Sequence, residues 1–497
     1  MAGRRPLLPW LGVATAVAGA CLVVSCGGDA ALARFPPWLE RCAPPQGVAG
    51  PMLCGSYSVP EDRSAPSGRR LDLRVVVLPA TGDRLPEPVW FLDGGPGAAA
   101  TEAVADIATV LAPLRARRDL VFVDQRGTGR SGSLDCAEPS LDGPLQSFFE
   151  DFLPVERVRE CRERLERVAD LRLYTTPIAI DDFEEVRRAL GYERVILFGI
   201  SYGTRAALVY LRRHPESVVA AALKGVAPVD MRNPLPFSRA LDRTIGAILD
   251  ACVADRACRA AHPDPHDDWA TVRAAFGGGT VEALVTHPRT GEQERVRLSR
   301  GVFADGLRHL LYQVAGAAEL PALLRAAAGD DFSPFAEREL AQRAGLDFLL
   351  ADGVFLTVTC SEDLRFVTEA DIERETADTF LADYRVRRQL AACAVWPPGD
   401  VIGEPLLEPV RADVPVLLLS GELDPATPPD GAERTARELP RSRHLVMPSS
   451  SHGFSPGGCE RRLLVEFLET GSLEGLDLSC IERARLPRFE TGNARRR

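Results

Sequence analysis

The sequence contains a single lysine, Lys224, among 59 basic residues, and it has only seven histidines. Acidic residues are more numerous, so the formal net charge is −11 at pH 7. Because phosphate binding needs a basic face, this balance argues against a nucleic-acid partner. Hydrophobic residues make up 45% and charged residues 26% of the 497 residues, as in an ordinary globular protein. The length allows two or three domains, or one large α/β domain with an inserted subdomain.

No Cys-x-x-Cys pair occurs, and no histidine lies at ligand spacing from a cysteine. We therefore expect no metal site and no organic cofactor. Without Cys21 and Cys26, ten cysteines remain, and an even number indicates disulfides in an exported protein. Connectivity cannot be read from sequence, but pairing of sequential neighbours is the most economical hypothesis. These pairs are 42–54, 136–161, 252–258, 360–393 and 459–480.

The apolar run at 11–24 follows two arginines and is too short for a comfortable transmembrane helix. It is typical of an export signal. Its end, Val23-Val24-Ser25-Cys26, resembles a bacterial lipobox, in which the cysteine is lipidated and becomes the mature N-terminus. Cleavage after residue 33, which would release a secreted or periplasmic protein, is the alternative. We predict a signal peptide at 1–26 and a mature chain anchored to a membrane through Cys26, outside the cytoplasm.

Apolar segments alternate with helical segments over much of the chain. Strands are predicted at 71–78, 89–92, 120–123, 195–198, 218–223, 414–419 and 444–447, and helices at 180–190 and 204–214. Such alternation implies a parallel sheet, with ligands at the carboxyl ends of its strands. Residues 38–60 are interpreted as an irregular leader.

The pattern is mainly helical from about 230 to 405, which predicts an inserted lid. The predicted domains are the signal at 1–26, a first core segment at 27–229, the lid at 230–405 and a second core segment at 406–497.

The stretch 195–205 runs from four apolar residues into Gly-x-Ser-x-Gly and then into a helical segment. This order matches a nucleophile elbow, a strand-to-helix turn that holds Ser201 in a strained conformation. Gly199 and Gly203 lack a Cβ, so the strand and the helix can approach closely. The motif also occurs by chance, so the rest of the chain has to support it.

A serine hydroxyl needs a base to take its proton, and histidine suits that role. A carboxylate must then orient the imidazole. In proteins whose nucleophile stands on such an elbow, the chain order is serine, acid, histidine. Asp424 and His452 follow the last two predicted strands in that order. We therefore predict Ser201, Asp424 and His452 as a catalytic triad. Less well placed alternatives are Glu422 and Asp430 as the acid and His444 as the base.

Acyl transfer by a serine also needs an oxyanion hole. One predicted donor is the backbone N–H of Tyr202, the residue after the nucleophile. The other is predicted at Gly95, in the glycine-rich loop after the strand at 89–92.

Three motifs carry a resemblance to a known family. They are Gly-Gly-Pro-Gly at 94–97, Asp-Gln-Arg-Gly-x-Gly-x-Ser at 124–131 and Gly-Ile-Ser-Tyr-Gly-Thr-Arg at 199–205. In this order they resemble the prolyl/tripeptidyl aminopeptidase family of α/β-hydrolases, above all its secreted tripeptidyl-aminopeptidase-like branch, over nearly the whole mature chain. The resemblance implies an α/β-hydrolase fold, with a mostly parallel central sheet and a helical lid. It also implies a serine peptidase that releases residues or short peptides from peptide N-termini.

Three positions depart from the family pattern. Asp93 stands where the oxyanion motif commonly begins with histidine, Lys224 stands where the branch usually has an acidic residue, and Ser451 precedes His452 where glycine is usual. The first two departures bear on substrate preference. The resemblance further implies that buried carboxylates under the lid bind the substrate ammonium, with Glu362 and Asp363 as candidates. Pairing of these carboxylates with an arginine is the alternative interpretation.

The expected substrate is a short peptide or another small acyl compound. A second hypothesis is an esterase or small-amide hydrolase that uses the same triad. A third is a non-catalytic surface binding protein, which the retention of all three triad residues disfavours.

Overall fold

The computed structural model describes residues 32–136, 139–344, 350–401, 403–454 and 458–491. The chain divides into an N-terminal unit at 1–36 and a second unit at 37–497. The predicted signal peptide, with Cys26, lies outside the described residues. A search of the described residues found no helix with the length and apolar character needed to span a membrane.

A nine-stranded sheet forms the centre of the second unit. Its strands are β1 (Leu39–Arg41), β2 (Leu53–Pro60), β3 (Arg70–Leu78), β4 (Val89–Leu92), β5 (Leu120–Val123), β6 (Val195–Ile200), β7 (Val218–Lys224), β10 (Val416–Gly421) and β11 (Ser442–Met447). Their order is β1-β2-β3-β5-β4-β6-β7-β10-β11. The pairs from β5 to β11 are parallel, and β1, β2 and β3 extend the sheet antiparallel at one edge. This mostly parallel sheet confirms the predicted α/β-hydrolase fold.

The prediction of an irregular leader at 38–60 is wrong, because β1 and β2 lie within it. β2 pairs with β3 over its whole length, from Leu53 opposite Val77 to Pro60 opposite Arg70. Glycine and serine in the middle of β2 have low strand propensity, so the local sequence does not indicate a strand. The hydrogen-bond ladder with β3, a long-range contact, stabilises it instead.

Helices flank the sheet and fill the long connection between β7 and β10. They are α1 (Val104–Val110), α2 (Val155–Leu165), α3 (Thr176–Ala189), α4 (Tyr202–Arg213), α5 (Phe237–Ala254), α6 (Arg256–Ala261), α7 (Pro265–Ala275), α8 (Arg300–Leu310), α9 (Val314–Ala328), α10 (Ser333–Ala344), α11 (Asp352–Val358), α12 (Glu369–Thr376), α13 (Tyr384–Cys393), α14 (Pro429–Glu438) and α15 (Cys459–Thr470). A π-helical turn, Thr359–Asp363, follows α11.

The connection between β7 and β10 is mainly helical, as expected. It also contains an antiparallel hairpin that was not predicted, formed by β8 (Thr280–Thr286) and β9 (Gln293–Ser299). The hairpin and the surrounding helices share one hydrophobic cluster, in which the rings of Phe303 and Phe335 lie 4.3 Å apart. The lid boundaries at 230 and 405 remain a prediction.

Five disulfides join sequential cysteines. The pairs are Cys42–Cys54, Cys136–Cys161, Cys252–Cys258, Cys360–Cys393 and Cys459–Cys480. The pairing hypothesis is confirmed. Cys360–Cys393 joins the π-helical turn to α13, both in the connection between β7 and β10.

Arg126, from the motif after β5, is fully buried. Its guanidinium donates to Asp182 in α3 at 2.6 and 2.8 Å and to the Glu61 carbonyl at 2.8 Å. The side chains of Arg126 and Asp182 are both 0% exposed. A guanidinium in this position needs its carboxylate, because an uncompensated buried charge is costly. The pair therefore connects β5, α3 and the β2–β3 turn.

We predict that Asp182→Ala lowers the free energy of unfolding by about 3–5 kcal/mol, because it leaves Arg126 buried without its partner. Glu156→Gln is the control, since Glu156 is 85% exposed and lies 3.9 Å from Arg159. Surface ion pairs contribute little, so this variant should unfold like the wild type. Chemical denaturation of both variants tests the prediction. Equal unfolding midpoints would contradict it.

Candidate active site

The sharp turn between β6 and α4 presents Ser201 at the carboxyl edge of the sheet. Ser201 has a φ of +56°, a conformation that side-chain-bearing residues rarely adopt. A Cβ at Gly203 would overlap the carbonyl oxygen of Leu92, and one at Gly199 would overlap that of Gly203. Only glycine therefore allows α4 to cross β4 and β6 this closely. This geometry is that of a nucleophile elbow.

Contacts from two neighbouring loops surround Ser201. Its backbone N–H donates to the Lys224 carbonyl at the end of β7, at 2.9 Å. On the other side lies Gly94, where a Cβ would be 3.7 Å from the Ser201 Oγ. Within the described part of the chain, the hydroxyl makes no hydrogen bond. It is partly exposed at the N-terminus of α4, where the helix dipole favours negative charge.

Asp424 and His452 lie in contact on the loops after β10 and β11. His452 Nδ1 is 2.9 Å from Asp424 Oδ2 and 3.1 Å from Oδ1. Asp424 is fully buried, and it also accepts the backbone N–H groups of Ala426 and Thr427 at 2.8 Å. Burial opposes the charged carboxylate, but His452 and these donors outweigh it and lower the pKa of Asp424. The aspartate is therefore ionised and holds the imidazole.

His452 also lies next to the elbow. A Cβ at Gly225, the residue after Lys224, would be 3.4 Å from the His452 ring. The Lys224 carbonyl in turn accepts the Ser201 amide, so Ser201 and His452 both lie at the end of β7. Among the described residues, no hydrogen bond joins the Ser201 hydroxyl to the His452 ring. Glu422 and Asp430, the alternative acids, are exposed, and the ring of His444 is bonded to Ser420 Oγ at 2.9 Å.

The helical connection covers the Asp424–His452 pair. The ring of Tyr312, after α8, lies 4.6 Å from the His452 ring. The backbone carbonyl of Tyr312 accepts the Gly453 N–H. Arg243 in α5 donates to the Asp424 carbonyl at 3.1 Å. The pair is thus shielded from water, which strengthens the electrostatic interactions within it.

The two predicted oxyanion donors adjoin residues of the elbow: Tyr202 follows Ser201, and Gly95 follows Gly94, which lies against Ser201. Tyr202 is the first residue of α4, where backbone N–H groups have no partner within the helix. Gly95 lies in the adjacent loop with a φ of +107°, which favours glycine. The side chain of Leu350 approaches this loop.

Asp93 begins the same loop, and its carboxylate accepts the Gly94 N–H at 2.7 Å. Burial raises the pKa of Asp93 to about 6, because its environment penalises the charge more than this hydrogen bond favours it. The carboxyl is therefore largely neutral in mildly acidic solution and charged above neutral pH. A negative charge beside an oxyanion site would oppose the charge that develops there.

Glu362 and Asp363 lie in the π-helical turn, and their surroundings differ. Asp363 accepts from Arg205 of α4 at 2.7 Å, with both side chains buried. Glu362 accepts the Thr176 N–H at 2.7 Å, and no ion pair to it occurs among the described residues. Burial raises the pKa of Glu362 to about 7 and that of Asp363 to about 6. Arg205 thus forms its direct ion pair with Asp363, while its charge acts on Glu362 without a direct pair among the described residues.

Glu362 lies close to the elbow. Thr176, whose N–H it accepts, is hydrogen-bonded through Oγ1 to the Tyr202 hydroxyl at 2.7 Å. The carboxylate also raises the pKa of Tyr202, although burial is the larger cause. Glu362 is therefore connected to the elbow through Thr176 and the Tyr202 side chain.

Sequence reasoning does not identify three residues that contribute to this geometry. Thr427 Oγ1 contacts Asp424 Oδ2 at 2.8 Å and His452 Nδ1 at 3.0 Å. The sequence could have indicated Thr427, because a threonine three residues after an aspartate often forms a hydrogen bond with it. Tyr312 and Thr176 had no such signal, because their contacts join distant parts of the chain.

In the part of the chain that the structure describes, one group of side chains has the spacing for a metal ion. Ligand atoms of Glu184, His214 and Glu216 all lie within 4.8 Å of one another. Glu184 is already bonded to Arg187 and to the Tyr210 hydroxyl. The group shares no residue with the predicted triad.

Several known proteins are similar to this chain in sequence. Residues 378–480 match a family model described as TAP-like protein. Tripeptidyl aminopeptidase from Streptomyces coelicolor is 25% identical over 488 aligned residues, covering 90% of this chain and 86% of that protein. Serine protease Hip1 from Mycobacterium tuberculosis is 31% identical over 246 residues, covering 44% of this chain and 46% of that protein.

The solved structure of proline iminopeptidase from Mycobacterium smegmatis covers 84% of this chain and 98% of its own, with a TM-score of 0.37 and 19% identity. The sequence matches and the family model confirm the resemblance that the motifs carry.

We predict that Gly203→Ala lowers the free energy of unfolding by about 3 kcal/mol or more, because the new Cβ meets the rigid Leu92 carbonyl. Gly246→Ala is the matched control. Gly246 lies within α5, a Cβ at this position would have nothing within 4 Å, and alanine there should stabilise by up to about 1 kcal/mol. Thermal and chemical denaturation compare the two. A Gly203→Ala protein as stable as the wild type would contradict the close crossing.

Proposed function

We propose that this protein, a serine hydrolase of the α/β-hydrolase fold related to the tripeptidyl aminopeptidases, is an exported aminopeptidase. It releases residues or short peptides from peptide N-termini through an acyl-enzyme. Ser201 is the nucleophile, His452 the base and Asp424 the orienting acid. The observation that supports this assignment is the buried Asp424–His452 pair, in which Nδ1 and Oδ2 are 2.9 Å apart. His452 lies next to the end of β7, where the Lys224 carbonyl accepts the Ser201 N–H.

The reaction proceeds in two steps. Ser201 Oγ attacks the acyl carbon while His452 takes its proton, and the imidazolium then gives that proton to the leaving amine. Water hydrolyses the resulting ester with His452 again as the base. Asp424 stays ionised because its pKa is lowered, so it can stabilise the imidazolium throughout.

The backbone N–H groups of Gly95 and Tyr202 stabilise the tetrahedral oxyanion. Hydrogen bonds aimed at a developing charge in a shielded site are among the largest contributions to catalysis. The dipole of α4, which begins at Tyr202, acts in the same direction.

Glu362 binds the free N-terminal ammonium of the substrate. Three observations support this role: the carboxylate is buried, its neighbour Asp363 is neutralised by Arg205, and its side chain accepts a hydrogen bond from the Thr176 N–H rather than from a cation. A buried carboxylate with a raised pKa gains most from a cation that arrives with the ligand. Binding of an ammonium would remove the proton that burial keeps on Glu362 near neutral pH.

Domain organisation and export belong to the same proposal. Residues 1–26 would direct export and Cys26 would carry a lipid, while residues 230–405 would form the lid over the site. The five disulfides are consistent with an oxidising compartment outside the cytoplasm.

Ser201→Ala should abolish labelling by a fluorophosphonate probe and reduce turnover of peptide and ester substrates by about 10⁴-fold or more. Ser56→Ala, on the exposed face of β2, is the control and should label like the wild type. Mass spectrometry of the labelled protein identifies the modified residue. Labelling that persists in Ser201→Ala would move the nucleophile elsewhere.

Glu362→Gln should reduce kcat/KM for peptides with a free N-terminus by about 10- to 100-fold, the loss expected for a charge-assisted contact. Turnover of acyl esters, which have no ammonium, should change little. Glu369→Gln, an exposed glutamate bonded to Arg387, is the matched control. If the wild type turns over N-acetylated and free peptides equally, the aminopeptidase assignment is wrong. The hypothesis of an esterase or small-amide hydrolase then remains.

The same variant has a predicted effect on stability. The folded protein holds a proton on Glu362 up to about pH 7, whereas the ordinary pKa is 4.5. The free energy of unfolding of the wild type therefore falls as the pH rises through this window. Glu362→Gln lacks this loss, so its melting temperature should rise relative to the wild type between pH 4.5 and 8. A pH-independent difference would contradict the burial of an unpaired carboxylate.

A further inference from the structure

We propose that Lys224, the chain's only lysine, is a positioning residue that holds the base loop, residues 449–453, against the end of β7. It thereby keeps His452 next to Ser201. This inference rests on the proposed roles of these two residues, and it adds a role for a residue that touches neither the substrate nor the reacting atoms.

The backbone of Lys224 lies between the nucleophile and the base. Its carbonyl accepts the Ser201 N–H at 2.9 Å. The next residue, Gly225, lies against His452, since a Cβ there would be 3.4 Å from the imidazole. Any shift at this point of β7 therefore changes the position of Ser201 relative to His452.

The side chain of Lys224 reaches the base loop. It is 0% exposed, and its Nζ donates to the Ser451 carbonyl, the residue before His452, at 2.8 Å. The same Nζ lies 2.8 Å from Oε1 of Glu460, which is 4% exposed in the first turn of α15. Ser450 Oγ donates to the other oxygen of Glu460 at 3.2 Å. The ion pair therefore contacts two consecutive residues of the base loop.

Stability alone does not account for this arrangement. Two charges taken out of water are costly, and a buried ion pair can often be replaced by well-packed apolar side chains without loss of stability. An apolar pair, however, cannot hold the Ser451 carbonyl. Lys224 thus fixes the position of the backbone immediately before His452. Its positive charge also contributes to the lowered pKa of Asp424.

The test compares the double variant Lys224→Met/Glu460→Leu with the wild type. Removing both charges together avoids the uncompensated Glu460 that Lys224→Met alone would leave. The measurements are the rate of fluorophosphonate labelling, the melting temperature, and kcat and KM for a chromogenic acyl ester. The ester makes the result independent of the aminopeptidase assignment.

Arg118→Met is the matched control. Arg118 is a buried cation that also donates to backbone carbonyls, those of Glu87 and Glu469, each at 2.7 Å. It precedes β5 and so lies at the amino ends of the strands, opposite the site. Its loss should lower the melting temperature while the labelling rate stays at the wild-type value.

The double variant is expected to fold, to label at least about ten-fold more slowly and to lose kcat with an unchanged KM, because a displacement of about 1 Å in a catalytic group can cost about 100-fold. Wild-type labelling and kcat in the folded double variant would overturn the role of Lys224 and leave the triad intact. Failure of the triad itself would instead appear as labelling that persists in Ser201→Ala. If the double variant does not fold, the spectroscopic measurement below decides.

Because Lys224 is the only lysine, protein labelled with [15N]-lysine contains one side-chain ammonium nitrogen. We expect its resonance to move when Ser201 is modified by the fluorophosphonate, since the modified site changes His452 and hence the neighbouring Ser451 carbonyl. A resonance that stays unchanged on modification would overturn the proposal.

Discussion

The site depends on one close contact, the crossing of α4 over β4 and β6 without side chains between them. Gly199 and Gly203 permit it, and the chain between them must turn so sharply that Ser201 takes a φ of +56°. The strain is retained because the surrounding sheet leaves no other path. Three consequences follow from the same turn: the serine hydroxyl faces outward, the Tyr202 amide begins a helix, and the Ser201 amide is bonded to β7.

The hydrophobic cluster of the helical connection reaches the loop of the proposed acid. The loop that carries Asp424 follows β10, yet its neighbours Leu423 and Ala426 pack into the cluster formed by the helical connection. Tyr312, from that connection, lies against His452. The position of the Asp424–His452 pair is thus set jointly by the sheet and by its cover, so a change in the packing of either would reach the pair.

The buried acids of the site differ in pKa, because each has different hydrogen-bond and ion-pair partners. Asp424 has His452 and several N–H donors, so its pKa is lowered despite complete burial. Asp363 has Arg205 but keeps a pKa of about 6, while Glu362, which accepts the Thr176 N–H, has a pKa of about 7. Low dielectric penalises every charge, and each carboxylate is ionised only as far as its neighbours compensate. The proposed division into an orienting acid and a cation-binding acid follows from this difference.

The sequence by itself determined the parallel strands, the elbow glycines and the order of the proposed triad, because short-range propensity and sequence spacing carry these features. The disulfide partners were a hypothesis that the structure confirmed. The sequence did not place β1 and β2, which are stabilised by the ladders that join β1 to β2 and β2 to β3. The hairpin β8–β9 was missed although its strands alternate, because it lies in a region interpreted as helical. The contacts of Tyr312 and Thr176 depend on packing between distant segments. The sequence also left open whether Glu362 and Asp363 meet an arginine. Only the tertiary structure decided that Asp363 pairs with Arg205, because the packing of the chain determines which charges lie next to each other in a buried site.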